Sequence, residues 1–285
     1  MTDTQKKLNK RALLLAAVIV LGVILFTLIL AAALLHRDEA IRKEPVPPIH
    51  VRQEEGRETL PPPEANPYTP VDFQYQNNFL TTLDGSSILG IDISEYQNVT
   101  NWQAVKDAGV EFVILRAGAR GYGSAGTMWK DEAADSHYAG AKSVGLKVGV
   151  YFFSQAVTTQ EAVEEAKLTL EIIKDWELDL PVVFDWEYVS DEARTAHIDD
   201  LELTHITLAY CQTIRDAGYE PMVYFNRNQS FYLLQMERLT EYDFWLAMYS
   251  DLMDYPYAVE IWQYSCTGAV PGIDGDVDMN LMFAQ

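Results

Sequence analysis

The sequence is poor in the residues that metal, thiol and acyl-transfer chemistry require. Its 285 residues contain two cysteines, Cys211 and Cys266, which form neither a CxxC motif nor a zinc-type spacing. The HExxH motif of metalloproteases and the GxSxG elbow of serine hydrolases are also absent. These absences argue against the commonest metal and nucleophile hydrolases. The two cysteines could form one disulfide outside the cell or remain two buried thiols, and their spacing leaves both open.

Basic residues are scarce in the C-terminal two thirds of the chain. Residues 90–285 carry 12 Lys and Arg against 32 Asp and Glu, a net charge of −20 out of the chain's −21. Binding to nucleic acid depends on Lys and Arg contacts to phosphate, so such a domain should repel nucleic acid. We expect most of these acids to form a solvated surface that keeps the domain soluble.

One long apolar run lies at the N-terminus. Residues 12–35 are interrupted only by Gly22 and Thr27, and they are long enough to cross about 30 Å of hydrocarbon. Four basic residues precede the run: Lys6, Lys7, Lys10 and Arg11. By the positive-inside rule, residues 1–11 form a cytoplasmic tail. The alternative is a cleaved signal peptide, whose apolar region is normally about 7–15 residues. The sequence thus predicts a single-pass cell-membrane protein with its C-terminal domain extracellular.

A proline-rich stretch follows the apolar run. It has eight prolines among charged residues: Pro45, Pro47, Pro48, Pro61, Pro62, Pro63, Pro67 and Pro70. Such a composition favours an extended, semi-rigid spacer. We therefore assign residues 36–88 to an extracellular linker and residues 89–285 to one domain, which is long enough to bury a sizeable core.

The domain alternates strand-like and helix-like segments. Strands are predicted at 89–94, 112–117, 147–154, 180–189, 221–227, 244–249, 258–264 and 277–283, and helices at 102–108, 133–144, 158–176, 199–217 and 230–239. This pattern predicts an α/β fold, a modified TIM-like barrel of the form (β/α)5(β)3. Only residues 250–257 join the sixth and seventh strands, so we expect that pair to be antiparallel, because a parallel crossover needs a dozen or more residues.

A pair of carboxylic acids ends the fourth predicted strand. Asp185 and Glu187 are two residues apart and therefore lie on the same side of the strand, and Asp92 lies in the first strand. In such barrels the active site is at the carboxyl ends of the strands. Two neighbouring acids raise each other's pKa, so one can donate a proton while the other stays charged, as in glycosidases. Alternatively, such acids cap the next helix, pair with arginine or bind a hard cation.

Aromatic residues cluster near the same strand ends. Sugar rings pack their apolar faces on aromatic side chains and need hydrogen bonds at their edges. Because side chains alternate along a strand, only half of these residues can face the cleft. The residues we expect to face it are Tyr151, Tyr224, Trp245 and Gln263, with Tyr249 as a further candidate for substrate binding.

Six blocks of the domain together resemble the glycoside hydrolase family 25 lysozymes, the Chalaropsis-type N-acetylmuramidases. They are GIDISEYQ (90–97), FVILRAGARGYG (112–123), GLKVGVYFFSQA (145–156), PVVFDWEY (181–188), WLAMYS (245–250) and IWQYSCTGAVPGIDGDVDMN (261–280). The resemblance spans the domain in order. It implies a barrel of five β/α units and three strands, and hydrolysis of the β-1,4 bond between N-acetylmuramic acid and N-acetylglucosamine in peptidoglycan.

The resemblance also implies roles for individual residues. Glu187 corresponds to the proton donor, Asp185 to its partner, and Asp92 and Asp278 to the two other acids of the cleft. Arg116, within the second block, is a further candidate substrate contact. No metal or organic cofactor is implied. Our hypothesis for the mechanism is substrate-assisted hydrolysis, in which the sugar's acetamido oxygen is the nucleophile. Two alternatives remain: a chitinase-like or endo-N-acetylglucosaminidase activity, and a wall-binding module without catalysis.

Overall fold

The computed structural model describes residues 60–283, and within them an eight-stranded barrel is the central element. Its strands are β3 (Ile88–Ile93), β5 (Phe112–Arg120), β7 (Lys147–Ser154), β8 (Val182–Trp186), β9 (Pro221–Asn226), β10 (Asp243–Ala247), β11 (Ile261–Gly268) and β13 (Val277–Met282). Strand β3 pairs with both β5 and β13, which closes the barrel. The predicted α/β, TIM-like architecture is therefore confirmed.

Five helices follow the first five barrel strands. They are α1 (Trp102–Asp107), α2 (Ala134–Ser143), α3 (Thr159–Ile173), α4 (Asp200–Asp216) and α5 (Arg227–Tyr232). Four of them begin at a side chain that accepts a hydrogen bond from the first turn: Asn101, Thr158, Asp199 and Asn226. Within residues 60–283, no helix follows β10, β11 or β13, so the predicted pattern of five β/α units and three strands is correct.

The expected antiparallel pairing of the sixth and seventh barrel strands is wrong. Strands β10 and β11 are parallel, with Trp245 opposite Ile261. Strand β10 ends two residues earlier than predicted and β11 begins three residues later, so residues 248–260 connect them, and thirteen residues suffice for a crossover without a helix. The antiparallel strand is instead β13, which pairs in that sense with β11 and with β3.

Two further differences concern the ends of elements. The predicted helix at 230–239 is a short helix that starts earlier, at Arg227, followed by a 3-10 turn over Met236–Arg238. The helix begins at Arg227 because Asn226 and Gln229 form a capping box at its N-terminus. Short strands missing from the prediction are β6 (Met128–Lys130), which extends the barrel sheet beside β5, and the pair β4 (Asn98–Val99) and β12 (Ile273–Asp274).

A hairpin covers part of the barrel wall that has no helix. Strands β1 (Phe73–Gln76) and β2 (Phe79–Thr82) are joined by Asn77 and Asn78, whose φ angles of 52° and 71° suit a tight hairpin turn. The Phe73 ring meets the Trp262 ring edge-on at 5.2 Å, and Leu80 is buried. The sequence analysis assigned these residues to the linker. The structure instead packs them against the barrel as part of the domain.

The segment before the hairpin is also attached to the barrel. Ala65 forms an isolated bridge with Tyr257, and the Asn66 side chain donates to the Tyr255 carbonyl at 2.9 Å. The Tyr68 ring stacks on Phe283 at 4.5 Å. The chain therefore joins the domain well before the first barrel strand.

The predicted cytoplasmic tail, the membrane span and residues 36–59 of the predicted linker lie outside the described residues. From residue 60 to residue 283, no helix combines the length and apolar composition needed to cross a bilayer. The two cysteines do not pair: Cys211 is buried in the core and Cys266 is exposed on β11.

Candidate active site

Nine of the ten residues selected from the sequence line one open cleft at the carboxyl ends of the barrel strands. The cleft and its solvent-filled mouth together comprise about 380 Å³. Its lining comprises the four acids Asp92, Asp185, Glu187 and Asp278, the side chains Tyr151, Tyr224, Trp245, Tyr249 and Gln263, and in addition Phe153. The alternation argument thus selected the side chains that face the cleft. The barrel brings together residues from seven strands and from the segments that follow two of them.

Asp92 is fixed by amide donors from the two closing strands. Its Oδ2 accepts a hydrogen bond from Gln263 Nε2 at 2.8 Å and another from Asn280 Nδ2 at 2.7 Å. Asp278 stands directly opposite Asp92 in the β13–β3 register, and the two carboxyl groups are hydrogen-bonded to each other. Burial, and then the Asp278 charge, raises the pKa of Asp92 well above its ordinary value. Burial raises the pKa of Asp278 to about 6.

Asp185 and Glu187 form the second pair of acids. Strand β8 ends at Trp186, so Glu187 is the first residue beyond the strand. The two carboxyl groups are hydrogen-bonded, and Asp185 Oδ1 is a buried oxygen without a partner among residues 60–283. Burial and the neighbouring Glu187 raise the pKa of Asp185 well above its usual range. Burial and Asp278 likewise raise the pKa of Glu187. The cleft therefore retains protons on carboxyl groups that would be ionised in water.

Hydroxyl and indole groups orient the amides that hold Asp92. Tyr224 and Tyr249 donate their hydroxyls to Gln263 Oε1 at 3.3 and 3.2 Å. Because that oxygen accepts both hydroxyls, the other end of the Gln263 amide must turn its N–H towards Asp92. In the same way, Trp245 Nε1 donates to Asn280 Oδ1 at 2.8 Å. Three predicted substrate contacts thus also position Asp92.

Arg116 lies behind the cleft and does not line it. Its Nε donates to Asp131 at 2.6 Å and its Nη2 to Glu95 at 2.7 Å, with the guanidinium 4.9 Å from the centre of the Tyr96 ring. The guanidinium still acts electrostatically on Asp185, whose pKa it lowers against the larger effect of burial. Among residues 60–283, no group of three or more His, Cys, Asp or Glu side chains is arranged to hold a metal ion.

Comparison with protein families matches residues 91–273 to glycosyl hydrolases family 25. This chain belongs to glycosyl hydrolase family 25. Lysozyme M1 of Streptomyces globisporus is 35% identical over 72 residues, which are 25% of this chain and 22% of that protein. The autolytic lysozyme of Clostridium acetobutylicum is 37% identical over 67 residues, 24% of this chain and 19% of that protein.

Solved structures share the fold. The modular autolysin LytC of Streptococcus pneumoniae matches at a TM-score of 0.63 and 26% identity, over 74% of this chain and 52% of LytC. LytC has also been solved with a synthetic peptidoglycan ligand. A family 25 hydrolase of Bacillus anthracis matches at a TM-score of 0.57 and 17% identity, over 70% of this chain and 89% of that chain. The chain thus spans about half of LytC and about a fifth of the two curated relatives.

Two glutamines fix the backbone that carries Glu187 in this family 25 domain. The β7–β8 ladder ends at Trp186 and the β8–β9 ladder at Asp185, so the following carbonyls have lost their strand partners. Gln155 Nε2 donates to the Glu187 carbonyl at 2.7 Å, and Gln229 Nε2 donates to the Trp186 carbonyl. Side-chain amides thereby continue the pairing on both sides of β8.

Replacing Gln155 with methionine is expected to lower kcat on glycan about tenfold and to leave KM within about twofold. Gln155 is fully buried, and losing its donor releases the Glu187 carbonyl, so the acid moves from its productive position. Steady-state kinetics on soluble glycan strands measure both constants. The matched control is Gln235→Met, which removes another buried amide, bonded to Asp200 at the outer helix α4. An equal fall in kcat for both variants would contradict a positioning role.

The raised pKa of Asp278 predicts a pH-dependent stability. Its pKa is about 6 in the folded state against 3.8 for the free group, so the folded state retains a proton that the unfolded state has lost. Stability from this group is therefore complete below pH 4 and is lost as pH rises through about 6. We expect Asp278→Asn to raise Tm by a few degrees at pH 8, on the order of 1 kcal/mol, and by nothing at pH 4. Thermal melts at both pH values test this, and an equal shift at the two would contradict it.

Asn280, Gln155 and Gln229 were not predicted from the sequence, although each holds a residue of the cleft. Asn280 faces inward two residues after Asp278, and the i, i+2 rule applied to Asp185 and Glu187 could have found it. For Gln155 and Gln229 the sequence gives no comparable signal, because both lie beyond the strand ends and reach another segment of the chain.

Proposed function

We propose that this chain is a peptidoglycan muramidase that cleaves the β-1,4 bond between N-acetylmuramic acid and N-acetylglucosamine. The observation that carries the proposal is the cleft of a family 25 domain, with two hydrogen-bonded pairs of carboxyl groups among aromatic side chains. Paired acids of this kind provide acid catalysis at a glycosidic bond, and aromatic rings pack on sugar faces. Relatives named as lysozymes support the same activity.

In the proposed mechanism Glu187 is the general acid. Burial and Asp278 raise its pKa, which favours the protonated carboxyl, and that proton passes to the glycosidic oxygen as the C1–O bond breaks. The acetamido oxygen of the same sugar attacks C1 and forms a cyclic intermediate. In this step Asp185 acts as a carboxylate, the form that Arg116 favours, accepts a hydrogen bond from the acetamido N–H and stabilises the positive charge. Water then opens the intermediate, and Glu187 takes the proton from that water. The product retains its anomeric configuration.

Product stereochemistry tests this mechanism separately from the activity. Proton NMR of the freshly released reducing end, recorded before mutarotation, reports whether the β configuration is kept. Retention agrees with participation of the acetamido group. Inversion would mean that a water molecule attacks directly, with another carboxylate as its base, and would exclude the substrate-assisted route.

The second candidate from a different class is a wall-binding module. Its supporting observation is the aromatic lining of the cleft, which would bind sugar whether or not the acids act. Incubating purified sacculi with the full chain separates the two: a muramidase releases soluble fragments in a time-dependent manner. Protein that co-sediments with intact sacculi and releases nothing would identify a binding module.

We also propose that the enzyme acts at the outer surface of the bacterial membrane. The apolar residues 12–35 would be the lipid-bilayer partner, residues 1–11 would lie in the cytoplasm, and peptidoglycan strands would be the extracellular partner. The net charge of −20 on residues 90–285 gives no surface suited to nucleic acid. Protease treatment of intact cells should remove the domain while sparing a membrane-bound N-terminal fragment. Free enzyme in the medium would instead support cleavage of a signal peptide.

A further inference from the structure

An exposed tryptophan lies on the cleft side of the barrel sheet but outside the cleft. Strand β6 adds to β5 in antiparallel register, with Trp129 opposite Ala119 and Met128 opposite Arg120. Arg120 points outward, where its Nε donates to Glu165 of α3 at 2.6 Å. Because neighbours along a strand alternate, Trp129 and Ala119 face the opposite side, towards the cleft.

A series of cross-strand neighbours connects Trp129 to Asp185. Ala119 pairs with Phe153, and Phe153 pairs with Asp185. Phe153 lines the cleft, so the series passes from Trp129 into the cleft without a break. Three strand spacings separate Trp129 from Asp185, a distance of about 14 Å. That distance is longer than one sugar ring, so a chain bound at Asp185 would reach Trp129 only with further sugars.

The Trp129 side chain is available to a ligand. It is 40% exposed, and its indole N–H has no hydrogen-bond partner among residues 60–283. The backbone of Gly121 lies beside the ring, where an added Cβ would be 3.5 Å from it. The ring therefore presents an open surface together with a free donor, the combination with which tryptophan contacts sugar rings and their hydroxyls.

A second ring is exposed nearby. Tyr96 is 76% exposed, and its inner face rests on the Arg116 guanidinium, which Asp131 and Glu95 hold in place. Arg116 is in register with Tyr151, which lines the cleft. The ion-paired guanidinium thus supports an aromatic ring at the rim, a role distinct from the substrate contact expected from the sequence. We call Tyr96 and Trp129 the rim ledge.

We propose that the rim ledge binds sugar rings of the glycan strand several units from the bond that is cut. This inference rests on the proposed muramidase function and extends it to a preference for long strands. The ledge would contact the uncharged faces of the sugar rings and not the peptide stem or the lactyl carboxylates, because Asp131, Glu95 and Glu132 lie around it and would repel carboxylates.

The test compares substrates of different length with the full chain purified in mild detergent. Peptide-free glycan strands are used as a long fraction and as the tetrasaccharide, beside long strands that keep their peptides. Trp129→Ala is expected to raise KM for long strands about 3- to 10-fold and to leave kcat/KM for the tetrasaccharide within about twofold. Trp129→Phe should recover most of the loss. The matched control is Trp176→Ala, which removes a ring stacked on Tyr138 at the far end of α3.

Three results would contradict the proposal that the rim ledge binds glycan. They are an unchanged KM for long strands in Trp129→Ala, an equal loss on both substrates, and a loss that appears only on strands that keep their peptides. The affinity of Glu187→Gln for long strands, compared with that of the double variant carrying Trp129→Ala as well, gives the contribution of the rim ledge to binding without requiring hydrolysis. If the wild-type chain cuts neither substrate but Trp129→Ala still weakens this binding, the muramidase proposal fails and the ledge stands. If the two variants bind long strands equally well, the rim ledge does not bind glycan and the proposal is wrong.

Discussion

Replacing Glu187 with glutamine is expected to reduce the rate of glycan cleavage by about 10²- to 10⁴-fold, the usual contribution of a general acid. Glutamine keeps the size of the side chain and its place at the end of β8, but it has no proton to give to the leaving oxygen. Because burial raises the pKa of Glu187, the variant also loses a group that is costly to ionise, so Tm should not fall. Release of dye-labelled fragments from sacculi measures the rate.

Two controls make this result specific to proton donation. Glu171→Gln changes an exposed glutamate on α3 that pairs with the neighbouring Lys174, and should leave the rate unchanged. A muramyl glycoside with an activated aryl leaving group needs no protonation in the first step, so the initial burst of aryl release by Glu187→Gln should stay close to the wild-type rate, although later turnover slows because Glu187 also takes the proton from water. An equal loss on the activated and the natural substrate would show that Glu187 does not act as the acid.

Removing residues 1–87 is expected to prevent the remaining chain from folding cooperatively, whereas removing residues 1–59 should leave a stable domain. The hairpin β1–β2 and the segment before it cover the outer faces of β11 and β13, which no helix covers among the described residues. Their loss exposes Trp262 and Phe283 and removes the buried Leu80. At about 1.5–3 kcal/mol for each large apolar side chain, the loss is roughly 5 kcal/mol or more, comparable with a whole domain's stability.

Single substitutions test the same contact between the hairpin segment and the barrel without removing any backbone. Tyr68→Ala and Phe73→Ala in the longer fragment should each cost about 2–4 kcal/mol and leave kcat unchanged, because both rings lie outside the barrel, away from the cleft. Denaturant unfolding with a constant m-value gives these losses. A fragment of residues 88–285 that melts as cooperatively, and as high, as residues 60–285 would show that the hairpin is dispensable.

The barrel could be predicted because its signals are local and periodic. The apolar runs of β5 and β7 predict strands, and the capping residues and apolar periodicity of α3 and α4 predict helices. Each of these signals lies within a short stretch of sequence. The antiparallel error at β10 and β11 came from strand ends placed two or three residues too far, which shortened the apparent connection. The hairpin was missed because the prolines around it favour a linker, while its packing depends on partners some 200 residues away.

The site could be predicted as far as strand alternation determines which side chains face inward. Alternation placed Tyr151, Tyr224, Trp245 and Gln263 correctly, and the DxE spacing placed both acids. Arg116 is inward-facing as well, but Asp131 follows β6, a strand that the sequence does not reveal, and the ion pair draws the guanidinium away from the cleft. Contacts made by groups beyond the strand ends, such as that of Gln155 with Glu187, require the folded coordinates.

The most direct test of the central claim is the identity of the reducing sugar in fragments released from purified peptidoglycan. Fragments from the full chain and from Glu187→Gln are reduced with borohydride and analysed by mass spectrometry. The account predicts fragments that end in reduced N-acetylmuramic acid, released by the wild-type chain and absent with the variant. Fragments ending in reduced N-acetylglucosamine would contradict it and identify a glucosaminidase working through the same cleft.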